Sequence, residues 1–207
     1  ERFAGRTAHP MDAARIAELR RFVEQSIQEL GVPGAAFALT TREKTIYAGG
    51  VGVRLLGDPT PVDGDTEFAV ASNTKGMATL MLAKLVDEDK LAWNEPVTQV
   101  YPTFRLGSPQ TTSKVLVRNL VCACTGLPRK DMQVILNSDP DAAASDTFAQ
   151  LAATEPTSGF GEVFQYSNLM ASAAGYIGGH IAYPTLPLDQ AFARAMREKV
   201  WGPLDMT

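Results

Sequence analysis

The chain has 207 residues, 45% of them apolar and 20% charged, a composition ordinary for a globular protein and sufficient for a buried core. Its 19 basic and 23 acidic residues leave a net charge of −4 with no Lys/Arg block, so nucleic acid is not an expected partner. No stretch reaches the roughly 18 uninterrupted apolar residues of a membrane span. The opening Glu1-Arg2-Phe3-Ala4-Gly5-Arg6 lacks the charged-then-apolar pattern of a signal peptide and reads as a mature or trimmed end, which leaves the compartment open.

In chain order, apolar residues at Ile16, Leu19, Val23, Ile27 and Leu30 recur at three-to-four spacing and predict one amphipathic helix over 11–30, stopped by Gly31-Val32-Pro33-Gly34. Residues 35–40 and 45–52 read as two strands of a hairpin, joined by the polar Thr41-Arg42-Glu43-Lys44. The Gly-, Pro- and Asp-rich stretch 56–65 predicts a loop. A helix opening at Ser72 and running to about Asp89 carries Met77, Leu80, Met81, Leu85 and Val86 and is expected to be buried on most sides.

From Leu91 to about Ser158 the texture changes to short helical pieces broken at Pro96, Pro102, Pro109, Pro128 and Pro140, with helix expected over 115–123 and 145–153. Two further helical patterns follow, one through Met170, Ala173, Ala174, Tyr176 and Ile177, the other over 188–200. This divides the chain into residues 1–90, with the first helix, the strands and the Ser72 helix, and a mainly helical 91–207. No internal repeat is visible.

Cys122 and Cys124 stand two apart, too close for an ordinary disulfide in a helical or extended segment, and are expected to pack as small apolar side chains. His9 and His180 make no ligand-spaced set with other residues, so no metal is expected.

The chemistry is concentrated in Ala71-Ser72-Asn73-Thr74-Lys75-Gly76. Residues at i and i+3 share a helix face, so Lys75 can stand beside the Ser72 hydroxyl and accept its proton. At a helix N-terminus, free backbone N–H groups also favour negative charge developing at the serine. The plain alternative is that Ser72 only caps the helix while Lys75 is solvated.

Tyr166-Ser167-Asn168 adds a phenol, a hydroxyl and an amide at a loop-to-helix junction. A phenol held near an ammonium can shuttle protons, and an asparagine offers a donor and an acceptor to a substrate amide. Here too an N-cap beside a core aromatic is the alternative.

Taken in order, Ser72-x-x-Lys75, Thr125-Gly126-Leu127-Pro128, Gly161-x-x-Phe164-x-Tyr166-Ser167-Asn168 and Gly202-Pro203-Leu204-x-Met206 resemble the serine β-lactamase and penicillin-binding-protein superfamily. The nearest branch is the one with a Tyr-x-Asn second motif: class C β-lactamases, D-Ala-D-Ala carboxypeptidases, D-aminopeptidases and related esterases. The resemblance implies an α/β fold with an antiparallel sheet flanked by helices beside an all-helical region. It implies Ser72 as the acylated nucleophile, Lys75 as its base, Tyr166 as the proton relay to the leaving group, and Asn168 as the group orienting substrate and Lys75. The Ser72 N–H would form half of an oxyanion hole. Two-step acyl transfer needs no cofactor, and a periplasmic or extracellular setting is suggested by the family alone.

Three features depart from the family pattern. Its third motif, Lys-Thr-Gly or His-x-Gly on a strand, has no counterpart here, so a C-terminal segment or a second chain is expected to complete the sheet and the site. Two strands alone are marginal and leave open edges. Cys122-Ala123-Cys124 stands where relatives carry Thr-His-Thr or similar, and Asn73 is unusual in the Ser-x-x-Lys gap. The resulting expectation is a serine hydrolase acting on a β-lactam, a D-amino-acid peptide or a small ester. The alternatives are a promiscuous carboxylesterase and a non-catalytic binding protein of the same fold.

Overall fold

A computed structural model of the chain describes Gly5 and residues 9–131 and 142–206. It forms two compact units, Glu1–Ala69 and Val70–Thr207, so the Ser72 helix belongs with the helical part of the chain.

In the first unit, Asp12 caps helix α1 (Ala13–Glu29), its carboxylate accepting the Arg15 N–H at 2.9 Å. The predicted stripe is the covered side as far as Ile27, its fully buried member. Leu30 is 77% exposed, because it is the C-cap and the chain turns away at Gly31. Strands β1 (Gly34–Thr40) and β2 (Thr45–Gly52) form the predicted antiparallel hairpin, with Ala38 opposite Ala48. Among the described residues no third strand pairs with either. Gly52 has φ +76°, and a Cβ there would lie 2.3 Å from the Pro33 carbonyl, so only glycine fits where β2 crosses the start of β1.

The second unit is built on three helices: α2 (Asn73–Asp87), the later α6 (Asn168–Ala182) and α7 (Leu188–Met196). Helix α2 buries Ala78, Met81, Leu82 and Leu85, a single face at helical spacing. Leu80, expected inside, points off that face and is 42% exposed, while Met77 and Val86 are only partly covered. The helix is thus buried on one side.

Glycines let the three axes approach. A Cβ on Gly178 would meet the tips of Met81 and Leu82, and one on Gly179 would lie 2.5 Å from the Phe192 backbone nitrogen. Leu82, Leu85, Leu127, Leu151, Met170 and Ile177 join one apolar core around this packing.

Between α2 and α6 run short pieces: α3 (Val97–Val100), α4 (Pro109–Thr112) and α5 (Asp146–Ala152), the last close to its predicted span. Ser108 caps α4, and Pro109 opens it, where a missing N–H costs nothing. The helix expected over 115–123 does not form. Val115 and its neighbours pair in extended form, Val97 N–H donating to the Val115 carbonyl (2.9 Å) and Val117 N–H to that of Glu95 (3.0 Å). Asn119 then accepts the Leu116 N–H at 2.9 Å and shapes a single 3₁₀ turn, Val117–Leu120. Pro140, one of the predicted breaks, lies outside the described residues. After α7 the helix widens into a π turn, Arg197–Trp201, where Lys199 pairs with Glu88 at 2.7 Å beyond the C-terminal end of α2.

Candidate active site

Helix α2 starts abruptly. Ala71 holds φ +44°, a left-handed conformation costly for a residue with a Cβ, and Ser72 follows with helical angles. The Ser72 side chain makes no capping bond. Instead its Oγ lies 3.0 Å from Lys75 Nζ, which donates to it, and 2.5 Å from the Tyr166 hydroxyl. Capping is done elsewhere, by Ser167, whose hydroxyl accepts the Met170 N–H at 3.2 Å and starts α6. That cap places Tyr166 just before the helix and Asn168 in its first turn. Among the described residues no hydrogen bond uses the Ser72 N–H, leaving it available to an oxyanion.

Tyr166 is in a cationic setting. Lys75 Nζ lies 4.6 Å from its ring centroid and the Arg129 guanidinium 5.1 Å. The Lys75 ammonium, and then the Ser72 hydroxyl, hold the phenol below its ordinary pKa, against the opposing effects of burial and of the Asp131 charge.

Asn168, too, is held. Its Nδ2 donates to Asp131 Oδ1 at 2.8 Å, while the other Asp131 oxygen pairs with Arg129. Arg129 and Asp131 belong to none of the motifs legible in the sequence. They follow directly on the Thr125-Gly126-Leu127-Pro128 motif, and that adjacency was the signal available.

The motif has a structural basis. Gly126 has φ +70°, and a Cβ there would lie 2.3 Å from the Ser158 carbonyl. Its own carbonyl accepts the Thr157 N–H at 2.7 Å. The segment carrying Arg129 and Asp131 is thereby pinned to the segment leading into Tyr166.

Cys122 and Cys124, expected to be free, are joined in a disulfide, their Cα atoms 5.1 Å apart. A helical or extended tripeptide holds two such side chains apart. Ala123 is neither: at φ +51° it folds the chain so that the two sulfurs meet. The carbonyls of Ala123 and Cys124 accept the N–H groups of Gln165 and Gly161, each at 2.8 Å, so this small loop braces the strand of chain that ends in Tyr166.

Ser72 itself is exposed, and two clefts flank its partner Lys75. One, of about 220 Å³, is lined by Lys75, Ala123, Phe164 and Tyr166. The other, of about 190 Å³, is lined by Lys75, Asn168, Gly175, Tyr176 and Phe192 and is largely apolar. Of the four residues expected from sequence, Ser72, Lys75 and Tyr166 are in contact with one another, and Asn168 lines a cleft with Lys75. His180, for which no metal role is expected, packs edge-on against Tyr101.

The pattern of the Beta-lactamase family matches residues 19–207, and the chain belongs to that family, within the serine β-lactamase and penicillin-binding-protein superfamily. "Protein flp" of Staphylococcus aureus (strain N315) is 22% identical over 190 residues, covering 92% of this chain and 37% of that protein. The octameric penicillin-binding protein homologue from Pyrococcus abyssi superposes with a TM-score of 0.75 at 22% identity, covering 93% of this chain and 43% of the other. A D-amino acid amidase from Ochrobactrum anthropi SV3, solved with L-phenylalanine amide, gives a TM-score of 0.75 at 23% identity, covering 93% and 51%. The chain therefore spans about half or less of the length of these relatives. The fold is β-lactamase/transpeptidase-like, an α/β arrangement of antiparallel strands and helices.

Proposed function

We propose that the protein is a serine hydrolase that cleaves an amide or ester through an acyl-enzyme at Ser72. The carrying observation is the placement of Ser72 Oγ between Lys75 Nζ at 3.0 Å and the Tyr166 hydroxyl at 2.5 Å. A serine hydroxyl at its ordinary pKa is a weak nucleophile and needs such an adjacent acceptor. Lys75 donates to Oγ, either hydroxyl can donate in the short Ser72–Tyr166 bond, and the phenol, with its lowered pKa, is placed to take the serine proton once ionised. Lys75 Nζ and the Tyr166 hydroxyl both contact Ser72 Oγ, so the two act together as the base.

In acylation the Ser72 oxygen attacks the scissile carbonyl, its proton passes to the pair, and the carbonyl oxygen becomes an oxyanion facing the Ser72 N–H. One such donor is worth roughly 3–4 kcal/mol in a comparable site. Tyr166 then returns the proton to the leaving nitrogen or oxygen. Water, activated by the same pair, releases the acyl group. Asn168 orients the substrate, and likeness to a D-amino acid amidase supports an amide among the candidates, beside a β-lactam, a D-amino-acid peptide or a small ester. We also propose that further strands, from a C-terminal segment or a second chain, pair with the open hairpin and bring the third motif that this chain lacks.

The test is covalent labelling of the full-length protein with a fluorescent penicillin and a fluorophosphonate, the modified residue being located by mass spectrometry. Label on Ser72, lost in Ser72→Ala, is expected. Absence of label from both reagents would instead favour a binding protein without turnover. Rates on a chromogenic cephalosporin and a p-nitrophenyl ester then separate lactamase from esterase.

A further inference from the structure

The hydrogen bond between Asn168 and Asp131 decides which end of the Asn168 amide the substrate meets. A carboxylate only accepts, so the end of Asn168 that lies 2.8 Å from Asp131 Oδ1 must be the NH₂ group. The amide is planar, with its oxygen and nitrogen on opposite sides of the carbon, so Oδ1 is turned away from Asp131. Asn168 lines the cleft shared with Lys75, and Asp131 does not. Among the described residues no hydrogen bond occupies Asn168 Oδ1, so the carbonyl is an acceptor still open to a ligand.

Asp131 is itself held. Its side chain is 15% exposed, its second oxygen pairs with Arg129, and Arg129 rests over the Tyr166 ring. One short segment, Arg129-Lys130-Asp131, thus grips both Tyr166 and Asn168. Lys130 is anchored separately, donating to the Thr154 hydroxyl at 2.9 Å.

We propose that Asp131 is a specificity-determining positioning residue: by holding the NH₂ of Asn168 it presents the Asn168 carbonyl to the site, selecting substrates with an N–H beside the scissile acyl group over those without one. The favoured class is N-acylated or peptide-like compounds rather than simple esters. This rests on Ser72 hydrolase chemistry, but concerns only which acyl group is preferred.

A matched pair of substrates tests it in the full-length protein: the p-nitrophenyl esters of N-acetylglycine and of acetoxyacetic acid. They share a leaving group and nearly a shape, and the second has oxygen in place of the N–H. One well-placed hydrogen bond is worth about tenfold, so kcat/KM is expected to favour the N–H substrate by about that factor. Asp131→Ala frees the amide to rotate and should bring the ratio near one, whereas Asp131→Asn retains an accepting oxygen and should restore the preference. Equal rates on the two esters in the unsubstituted protein, or a full preference surviving in Asp131→Ala, would overturn the proposal. So would an Asn variant as indifferent as the Ala variant, since charge and not placement would then set the ratio. Fluorophosphonate labelling of Ser72 in every variant separates the two ideas. Labelled protein without preference refutes only the role of Asp131; unlabelled, inert unsubstituted protein refutes the hydrolase reading and this inference with it.

Discussion

At the scale of single residues, the proposed chemistry rests on the contacts of Lys75 and Tyr166 with Ser72 Oγ, and two substitutions probe it. Tyr166→Phe removes the hydroxyl 2.5 Å from Ser72 Oγ while keeping the ring that Lys75 and Arg129 approach. Loss of a positioned acid–base group of this kind lowers kcat by roughly 10²–10⁴-fold, to be read from single-turnover acylation. Because the Lys75 ammonium lowers the Tyr166 pKa, the rate should rise with pH as the phenol ionises below the ordinary tyrosine range.

Three charged groups face that phenol: Lys75 from α2, and Arg129 and Asp131 from the segment after Pro128. The Asp131 charge raises the Tyr166 pKa, so Asp131→Asn should move the rising limb of the pH–rate profile to lower pH. A limb that stays put or moves up would contradict Tyr166 as the titrating partner. Ser72, Lys75, Tyr166 and Asn168 were legible in the sequence because Ser-x-x-Lys and Tyr-x-Asn are each local spacings. Asp131 was not, because it meets Asn168 across 37 residues of chain.

At the scale of elements, α6 works as a spacer made of missing side chains. A methyl group on Gly179 would sit 2.5 Å from the Phe192 nitrogen and 2.7 Å from its Cα, and backbone cannot rotate aside. Gly179→Ala should therefore destabilise the second unit by about 1–3 kcal/mol through forced separation of α6 and α7, measured by denaturant melting. Gly178→Ala meets only the flexible ends of Met81 and Leu82 and should cost less.

The loop at Cys122–Cys124 is a second such device. Closing so small a ring removes about 1–2 kcal/mol of chain entropy. Its larger effect is expected on activity, since the carbonyls of Ala123 and Cys124 brace the approach to Tyr166. Cys122→Ser should cut kcat/KM severalfold and make the rate indifferent to dithiothreitol; an unchanged rate would show that the brace does not need the bond. The disulfide escaped the sequence reading because one left-handed residue, Ala123, overrides the reach argument. The lost helix over 115–123 has a similar origin. Local periodicity favoured helix, but Val115 and Val117 find strand-like partners at Val97 and Glu95, and the side chain of Asn119 shapes the turn.

At the scale of the whole molecule, a hairpin of seven and eight residues is too little sheet to stand by itself. Its outer edges carry N–H and C=O groups that a neighbouring strand would satisfy. With the proposed strands supplied, hydrogen exchange should find the outward N–H groups of β1 or β2 strongly protected, and in the 207 residues without them much less so. Equal exchange in the two would count against completion of the sheet by further strands. The same comparison tests the proposed activity: with the added strands, labelling of Ser72 should be far faster than without them.

What the sequence determined by itself is whatever depends on near neighbours along the chain: the amphipathic face of α1, the hairpin, the one-turn spacing that sets Lys75 beside Ser72, and the Ser167 junction that opens α6. Helical and extended geometries repeat every few residues, so such placements follow from spacing alone. Tertiary structure decided the rest. Leu80 faces outward, Ala123 turns left-handed, and Asp131 reaches Asn168 because partners distant in sequence compete with local preference and win where they bury surface or satisfy a polar group.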